Sequence, residues 1–521
     1  MWQEKKIADM KKNILLLILI FIVAAIYYLP ILNIGLGPYD EGLILFGAER
    51  VLKGQIPYKD FSSAYPPGQY YTIAALFNIF GTSVTTERIY DIAVRALLSL
   101  FIFLIIRLLA SNKLAFVGWT MSLVWMGHSS YPGYPVYPSV LFIYISVYFL
   151  LLHMKHNTIY YVALSAVAIV LAILFRHDLG GYAAIAMAVV LFVMRITGVR
   201  KSWTPFISFI VIGMISALPV IIYFFLNSAL KFIINDMILM PLNVLTEYAQ
   251  LPYPSLSIYA FSFYLFPVVL LISVIISLVL MKRKTDHMVA YGGLLISLIG
   301  LLFMFQVSVR SDIPHLLPVA LTGIVSASIL LCSLPETLSL NTWQKRGVYV
   351  MFIIVFSVAF IRPISTIELI LKRTKGYIVS TVNADMDRIR YLIIDSNLKE
   401  TVTFIKNNTL ENEYIYVGVK NHDQFRFNDP VIYFLAERNC ATKYHELDAG
   451  VTTTVEAQSE MINELRNNDT PLVVLAVRDR YEPNLSKIDS NVNLLDNYIG
   501  SNYELKKTYG IYEIWMKARQ G

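Results

Sequence analysis

A chain of 521 residues that is 56% hydrophobic and only 15% charged, with a mean hydropathy of +0.58, is not an ordinary soluble domain, in which about a quarter of residues carry charge. The net charge of +7 does not mark a nucleic-acid-binding protein either, because most of the excess falls in short loops between apolar runs and so reports membrane topology. The two cysteines, Cys332 in an apolar run and Cys440 in the polar C-terminal region, supply no disulfide framework.

The first apolar run follows Lys5, Lys6, Lys11 and Lys12, approaches 20 residues and lacks a small-residue cleavage site. It reads as a retained first helix. Eleven spans are expected, at 12–32, 88–109, 113–129, 137–153, 158–175, 179–197, 204–226, 258–281, 288–306, 314–333 and 346–363. This makes the fold class a polytopic α-helical membrane protein. Basic residues occupy alternate loops: Arg107 and Lys113, Lys155, Arg195 to Lys201, Lys282 to Lys284, and Lys345 with Arg346. By the positive-inside rule those loops and the N-terminus are cytoplasmic. The other loops, and everything after Arg362, then face outward.

The first outer loop, 33–87, is long, and such loops carry function or structure of their own. It contains Gly37-Pro38-Tyr39-Asp40-Glu41-Gly42. Glu41 to Lys53 has helical spacing with Gly54 as C-cap, and Gln69 to Phe80 reads as a second helix, too short and aromatic to span. Both are expected to lie at the outer leaflet, where tyrosines favour the headgroup level. The tail, 366–521, is polar and alternates strand-like runs (Tyr414 to Val419, Pro471 to Val477) with an amphipathic helix from Val455 to Asn467. A small extracytoplasmic α/β domain is expected there.

Three charged clusters fall on the outer side. Asp40-Glu41 is an adjacent pair of acids just past the first span, where charge is costly to keep without a purpose. Arg176-His177-Asp178 closes the fifth span, and Arg310-Ser311-Asp312-Ile313-Pro314-His315 closes the ninth. The spans themselves are nearly free of charge. Taken singly, Asp40 would serve as a helix N-cap and each Arg–Asp pair as a hydrated helix-end ion pair. Together, at one depth and on one side, they form the pattern of a site open to one compartment. The chemistry that fits is sugar transfer from a polyprenyl-phosphate donor. Asp40 takes the proton of an attacking hydroxyl, and Arg176, Asp178, Arg310, Asp312 and His315 bind the donor's phosphate and sugar. Attack opposite the phosphate inverts the anomeric carbon. No zinc-ligand spacing, phosphate loop or nucleophile elbow is present, so no cofactor is expected; a divalent cation bridging Asp40 and the phosphate is the one alternative.

Asp40-Glu41, the following helix with Gly54, Pro57-Tyr58-Lys59-Asp60-Phe61, and Tyr65-Pro66-Pro67-Gly68-Gln69-Tyr70-Tyr71 leading to Phe80-Gly81 resemble the GT-C superfamily of membrane glycosyltransferases. Within it they are similar to the protein O-mannosyltransferase and lipid A aminoarabinose-transferase branch. The resemblance covers residues 1 to about 130; later spans match in count and spacing only. It implies Asp40 as the catalytic base, Glu41 as the second acid of the catalytic pair, a polyprenyl-phosphate-sugar donor and an extracytoplasmic site. The acceptor would be a lipid, a glycan or a protein. Phe434 to Arg438 and Lys443 to Leu447 look like the extracytoplasmic tail of bacterial relatives, and the compact, bacterial-like layout of the chain favours a bacterial plasma membrane over an endoplasmic reticulum. The competing readings are a transporter or flippase of a lipid-linked sugar, and a surface-polysaccharide polymerase or ligase.

Overall fold

A computed structural model describes residues 2–128, 131–242, 248–368, 386–389, 392, 394–424, 427–448, 450–478 and 488–518. In chain order the first helices are α1 (Trp2–Tyr28), α2 (Asp40–Leu52), α3 (Gly68–Phe80), α4 (Val84–Leu109), α5 (Asn112–His128), α6 (Val136–His156), α7 (Ile159–Phe175), α8 (His177–Ile196), α9 (Thr204–Leu226) and α10 (Leu230–Ile234). They are followed by α11 (Phe261–Arg283), α12 (His287–Val309), α13 (Ile313–Thr337), α14 (Thr342–Ala359) and α15 (Ile361–Glu368).

Each of the eleven expected spans is a helix. Among the described residues eight are long and apolar enough to cross a bilayer, and α14 with α15, bent by 48°, makes a ninth if the two count as one span. The remaining two, α5 and α7, are 17 residues each. At 1.5 Å per residue that is about 26 Å, the lower limit of a crossing. The basic residues Arg107 and Arg283, in the last turns of α4 and α11, and Arg200, between α8 and α9, bond Asn13, the carbonyl of Thr337 and Asn157 respectively.

One span departs from the sequence expectation of charge-free helices. On α4, Glu87, Arg88, Asp91 and Arg95 are all 2% exposed or less. Arg95 bonds Asp91 at 2.6 Å and the carbonyls of Met126 and Tyr131 at 2.6 and 3.2 Å, with its guanidinium 3.6 Å from the Tyr137 ring. Arg88, Asp91 and Arg95 are satisfied inside the protein, whereas both carboxyl oxygens of Glu87 lack a partner among the described residues. All four are kept from lipid by burial, which is the condition for holding them at that depth.

The C-terminal unit holds α16 (Ser396–Asn408), β1 (Tyr414–Val419), α17 (Val431–Ala436), β2 (Asn439–Cys440), α18 (Val455–Asn467), β3 (Leu472–Ala476), α19 (Leu494–Asn502), β4 (Tyr503–Tyr509) and β5 (Tyr512–Lys517). The sheet order is β2-β1-β3-β5-β4. β2, β1 and β3 are parallel, while β5 and β4 are antiparallel. β3 is buried on both faces, as its unbroken Leu-Val-Val-Leu-Ala run requires. One face packs Val402 and Ile405 of α16, and the other packs Met461 and Leu465 of α18.

The first face does not end at the C-terminal unit. Its core continues into Leu45, Phe46, Ala48, Tyr70 and Phe77 of α2 and α3. Phe46 stacks on Tyr433 at 4.8 Å, Phe77 on Phe434 at 5.9 Å, and Arg388 bonds both oxygens of Glu49. α2 is therefore buried from Glu41 to Arg50 beneath residues of the tail, where the sequence alone led to a helix at the headgroup level. Gly42 makes the contact, since a Cβ there would lie 2.5 Å from the backbone nitrogen of Val431. Gly42→Ala must push backbone against backbone, at a cost of about 1–3 kcal/mol. Limited proteolysis of the variant is expected to cut the C-terminal unit several-fold faster than in the parent.

Candidate active site

The two adjacent acids part company at the start of α2. Tyr39, without a side-chain cap, is the N-cap, so Asp40 is the first helical residue and not the cap. A carboxylate there still gains from the helix dipole. Glu41, about 100° further round the helix, turns inward and is 1% exposed. Its carboxylate accepts from Gly37 N at 2.8 Å and from Arg88 at 2.7 and 2.9 Å. Arg88 in turn donates to the carbonyls of Ile31, Leu32, Ile34 and Gly35 at 2.7–3.2 Å. This pair ties the chain leaving α1 to the start of α2 and to α4.

Arg176 and Arg310 occupy equivalent places. Each is an extended residue at a helix–helix junction (φ −148° and −133°), with an Asp two residues on. Arg176 grips Asp178 through Nε and Nη2 at 3.0 and 2.7 Å and reaches the Tyr134 hydroxyl at 3.2 Å. Gln306 of α12 bonds the same Asp178 at 2.8 Å. Arg310 bonds Asp312 at 2.8 Å and the Ala249 carbonyl at 2.9 Å. Asp312 caps α13 through His315 N at 3.1 Å and meets the His315 ring at 2.5 Å. Burial opposes ionisation of Asp312, but the His315 contacts and the Arg310 charge outweigh it and hold the carboxyl below its ordinary range.

Asp40, Arg176, Asp178, Arg310, Asp312 and His315 all line one cavity of about 710 Å³, a volume typical of small-ligand sites. Glu41 does not line it. One flank of the cavity is apolar: Ile185 of α8 and Phe305 of α12 line it and are 57% and 59% exposed, so this side opens toward the outside of the bundle. Another part of the lining comes from the C-terminal unit, through Glu446 and Asp448, and the Tyr39 hydroxyl bonds Glu446. Glu446 is pushed well above the usual carboxylate range by burial and by the charge of Asp448. Asp448 is pushed up to about 7 by burial and the charge of Asp236. Among the described residues, no group of three or more His, Cys, Asp or Glu is placed to hold a metal ion.

Sequence reasoning passed over Glu446, Asp448 and Tyr134. The Tyr131-Pro132-Gly133-Tyr134 turn reads as an aromatic belt, and nothing in the local pattern at 443–447 places it beside residue 40.

The sequence matches no family model and no curated protein. Solved structures do match. ArnT from Cupriavidus metallidurans bound to undecaprenyl phosphate aligns with a TM-score of 0.54 at 14% identity, over 98% of this chain and 98% of that one. The apo form of the same protein aligns with a TM-score of 0.54 at 14% identity, over 97% and 98%. The archaeal oligosaccharyltransferase AglB from Archaeoglobus fulgidus, in complex with an inhibitory peptide and a dolichol-phosphate, aligns with a TM-score of 0.50 at 12% identity, over 88% of this chain and 69% of that one. The chain has the GT-C fold of these proteins.

Proposed function

We propose that the protein is a membrane glycosyltransferase that moves a sugar from a polyprenyl-phosphate donor to an acceptor hydroxyl at the extracytoplasmic face, with inversion. The observation that carries this reading is the meeting, in one cavity, of Asp40, Arg176 and Arg310, from three distant parts of the chain. The shared fold supports it, since ArnT was crystallised with undecaprenyl phosphate and AglB with a dolichol-phosphate.

The acceptor oxygen attacks the anomeric carbon while its proton passes to the Asp40 carboxylate. The bond from that carbon to the phosphate oxygen breaks, and its electron pair stays on the phosphate. Arg176, Arg310 and His315 stabilise the charge that develops. Asp178 and Asp312 hold the two guanidinium groups in fixed planes, so little reorganisation is needed at the moment of transfer. The apolar flank at Ile185 and Phe305 lets the polyprenyl chain stay in the bilayer. With the basic loops cytoplasmic, the cavity and the C-terminal unit face outward from a bacterial plasma membrane.

A flippase would place polar groups near mid-membrane on broken helices. The charges of α4 are the nearest match, but Arg88 and Arg95 are spent on carbonyls and carboxylates within the fold. The test is conversion. Purified protein in nanodiscs, given undecaprenyl-phosphate-linked sugars and a membrane extract as acceptor, is expected to yield free undecaprenyl phosphate by mass spectrometry. Translocation without conversion would mean a flippase. Activity that survives a chelator removes the bridging-cation alternative.

A further inference from the structure

The C-terminal wall of the cavity carries a group that the phosphate chemistry leaves unused. Glu446 is 6% exposed, yet it lines the cavity. The Tyr39 hydroxyl donates to its Oε1 at 3.2 Å, and the backbone N–H of Ala64 also bonds the carboxyl. Oε2 has no partner among the described residues. A buried acceptor left unmade costs about 1–3 kcal/mol, so its retention calls for a donor that arrives from elsewhere. The residue is also held firmly. The ring of the preceding His445 packs on Phe46 and Phe61 at 5.5 and 5.2 Å, and its carbonyl accepts from Asn428 at 2.9 Å. Tyr39, which shares the carboxyl, is itself braced by the Phe427 ring at 4.6 Å.

We propose that Glu446 is a specificity-determining residue that binds a hydroxyl of the donor sugar through Oε2, which makes the C-terminal unit the sugar-reading wall of the cavity. The inference rests on the reading of the cavity as a polyprenyl-phosphate-sugar site. The sugar is joined directly to the phosphate, so it must lie in the same cavity as Arg176 and Arg310. Among the described residues lining that space, two buried side-chain oxygens lack a partner, Glu446 Oε2 and Gln306 Oε1. Gln306 belongs to the Arg176–Asp178 corner, where its amide bonds Asp178, and Glu446 is the one on the C-terminal wall. A hydroxyl suits it better than an ammonium group. Burial and the neighbouring Asp448 favour the uncharged carboxyl, which can both donate and accept, and the side chain is then a match for a sugar O–H. The acidic surroundings disfavour a phosphate oxygen here, because Asp40 and Asp448 both raise the cost of an anion at this wall.

The experiment is direct binding of two probes to the full-length protein in detergent: undecaprenyl phosphate, and the same lipid carrying mannose or glucose. The parent is expected to bind at least one phospho-sugar more tightly than the bare phosphate. Glu446→Ala should weaken that phospho-sugar roughly tenfold and leave the bare phosphate within twofold. Glu446→Gln, which keeps a donor and an acceptor, should stay within threefold for both. Equal binding of all probes by the parent would overturn the inference, as would equal weakening of both ligands by Glu446→Ala. Loss in Glu446→Gln as deep as in Glu446→Ala would show that charge is read, and would also overturn it. Thermal unfolding of both variants separates lost binding from lost fold. Binding is measured without turnover, so a parent that discriminates the sugar but transfers none would defeat the transferase reading alone.

Discussion

Asp40→Asn is expected to lower sugar transfer roughly 10²–10⁴-fold, the range that a positioned general base contributes. Asn keeps the size and the helix-start geometry of Asp but cannot take a proton. Asp40 is the first residue of α2 and faces the cavity. Its replacement therefore leaves the buried anchors of that helix untouched, namely Glu41 on Arg88 and Phe46 on Tyr433. Membrane insertion, thermal stability and binding of undecaprenyl phosphate should all match the parent, since Arg176 and Arg310 are unchanged. A rate within threefold of the parent, measured as release of undecaprenyl phosphate, would end the assignment of Asp40 as base. Asp40→Glu, which moves the carboxylate outward by one methylene, should recover only part of the rate.

Arg88→Met should be the most damaging single change to stability. It strands the Glu41 carboxylate in a site 1% exposed and removes the donor for four carbonyls between Ile31 and Gly35. Breaking a buried pair by removing one partner costs about 3–5 kcal/mol. Thermal unfolding in detergent is expected to fall by several degrees, and the yield of folded protein with it. Adding Glu41→Leu removes the stranded charge and should restore part of the loss, giving a coupling energy well above zero in the double-mutant cycle. Two single substitutions separate the neighbouring acids. Glu41→Gln should weaken the fold while Asp40→Asn does not, and only Asp40→Asn should stop transfer without unfolding. An Arg88→Met protein as stable as the parent would show that the network of carbonyls and Glu41 contributes nothing net.

What was legible in the sequence is what has a period. The span helices, α2, α3, α18 and the strands β1 and β3 were readable because apolar residues recur at 3.6 or run unbroken between turn residues. The two Arg-x-Asp corners were readable because positive-inside counting assigns loops to sides, and both corners do line the cavity with Asp40. What was not legible depends on contacts with no local signature. That Glu41 would be consumed by Arg88, 47 residues away, cannot be seen in a dipeptide whose members look alike. That α4 would tolerate buried charge depended on carbonyls between Ile31 and Gly35, and on those of Met126 and Tyr131, arriving beside it. Nor could hydropathy reveal that the tail would cover α2 and lend Glu446 to the cavity, because hydropathy assigns α2 to an interface and cannot tell lipid from protein.

The core shared by α2 and the C-terminal unit has a bearing on how the molecule is made. Gly42 meets Val431, a segment that leaves the ribosome roughly 390 residues later. At about 5–20 residues per second that is a wait of roughly 20–80 s. During it the helix bearing Asp40 has α3 against it but lacks the tail residues that complete its core. On the reading of Asp40 as the base, a chain should transfer no sugar until its last quarter is translated and docked, and a truncation that removes the tail is expected to lower transfer about as far as Asp40→Asn does, even with every span inserted.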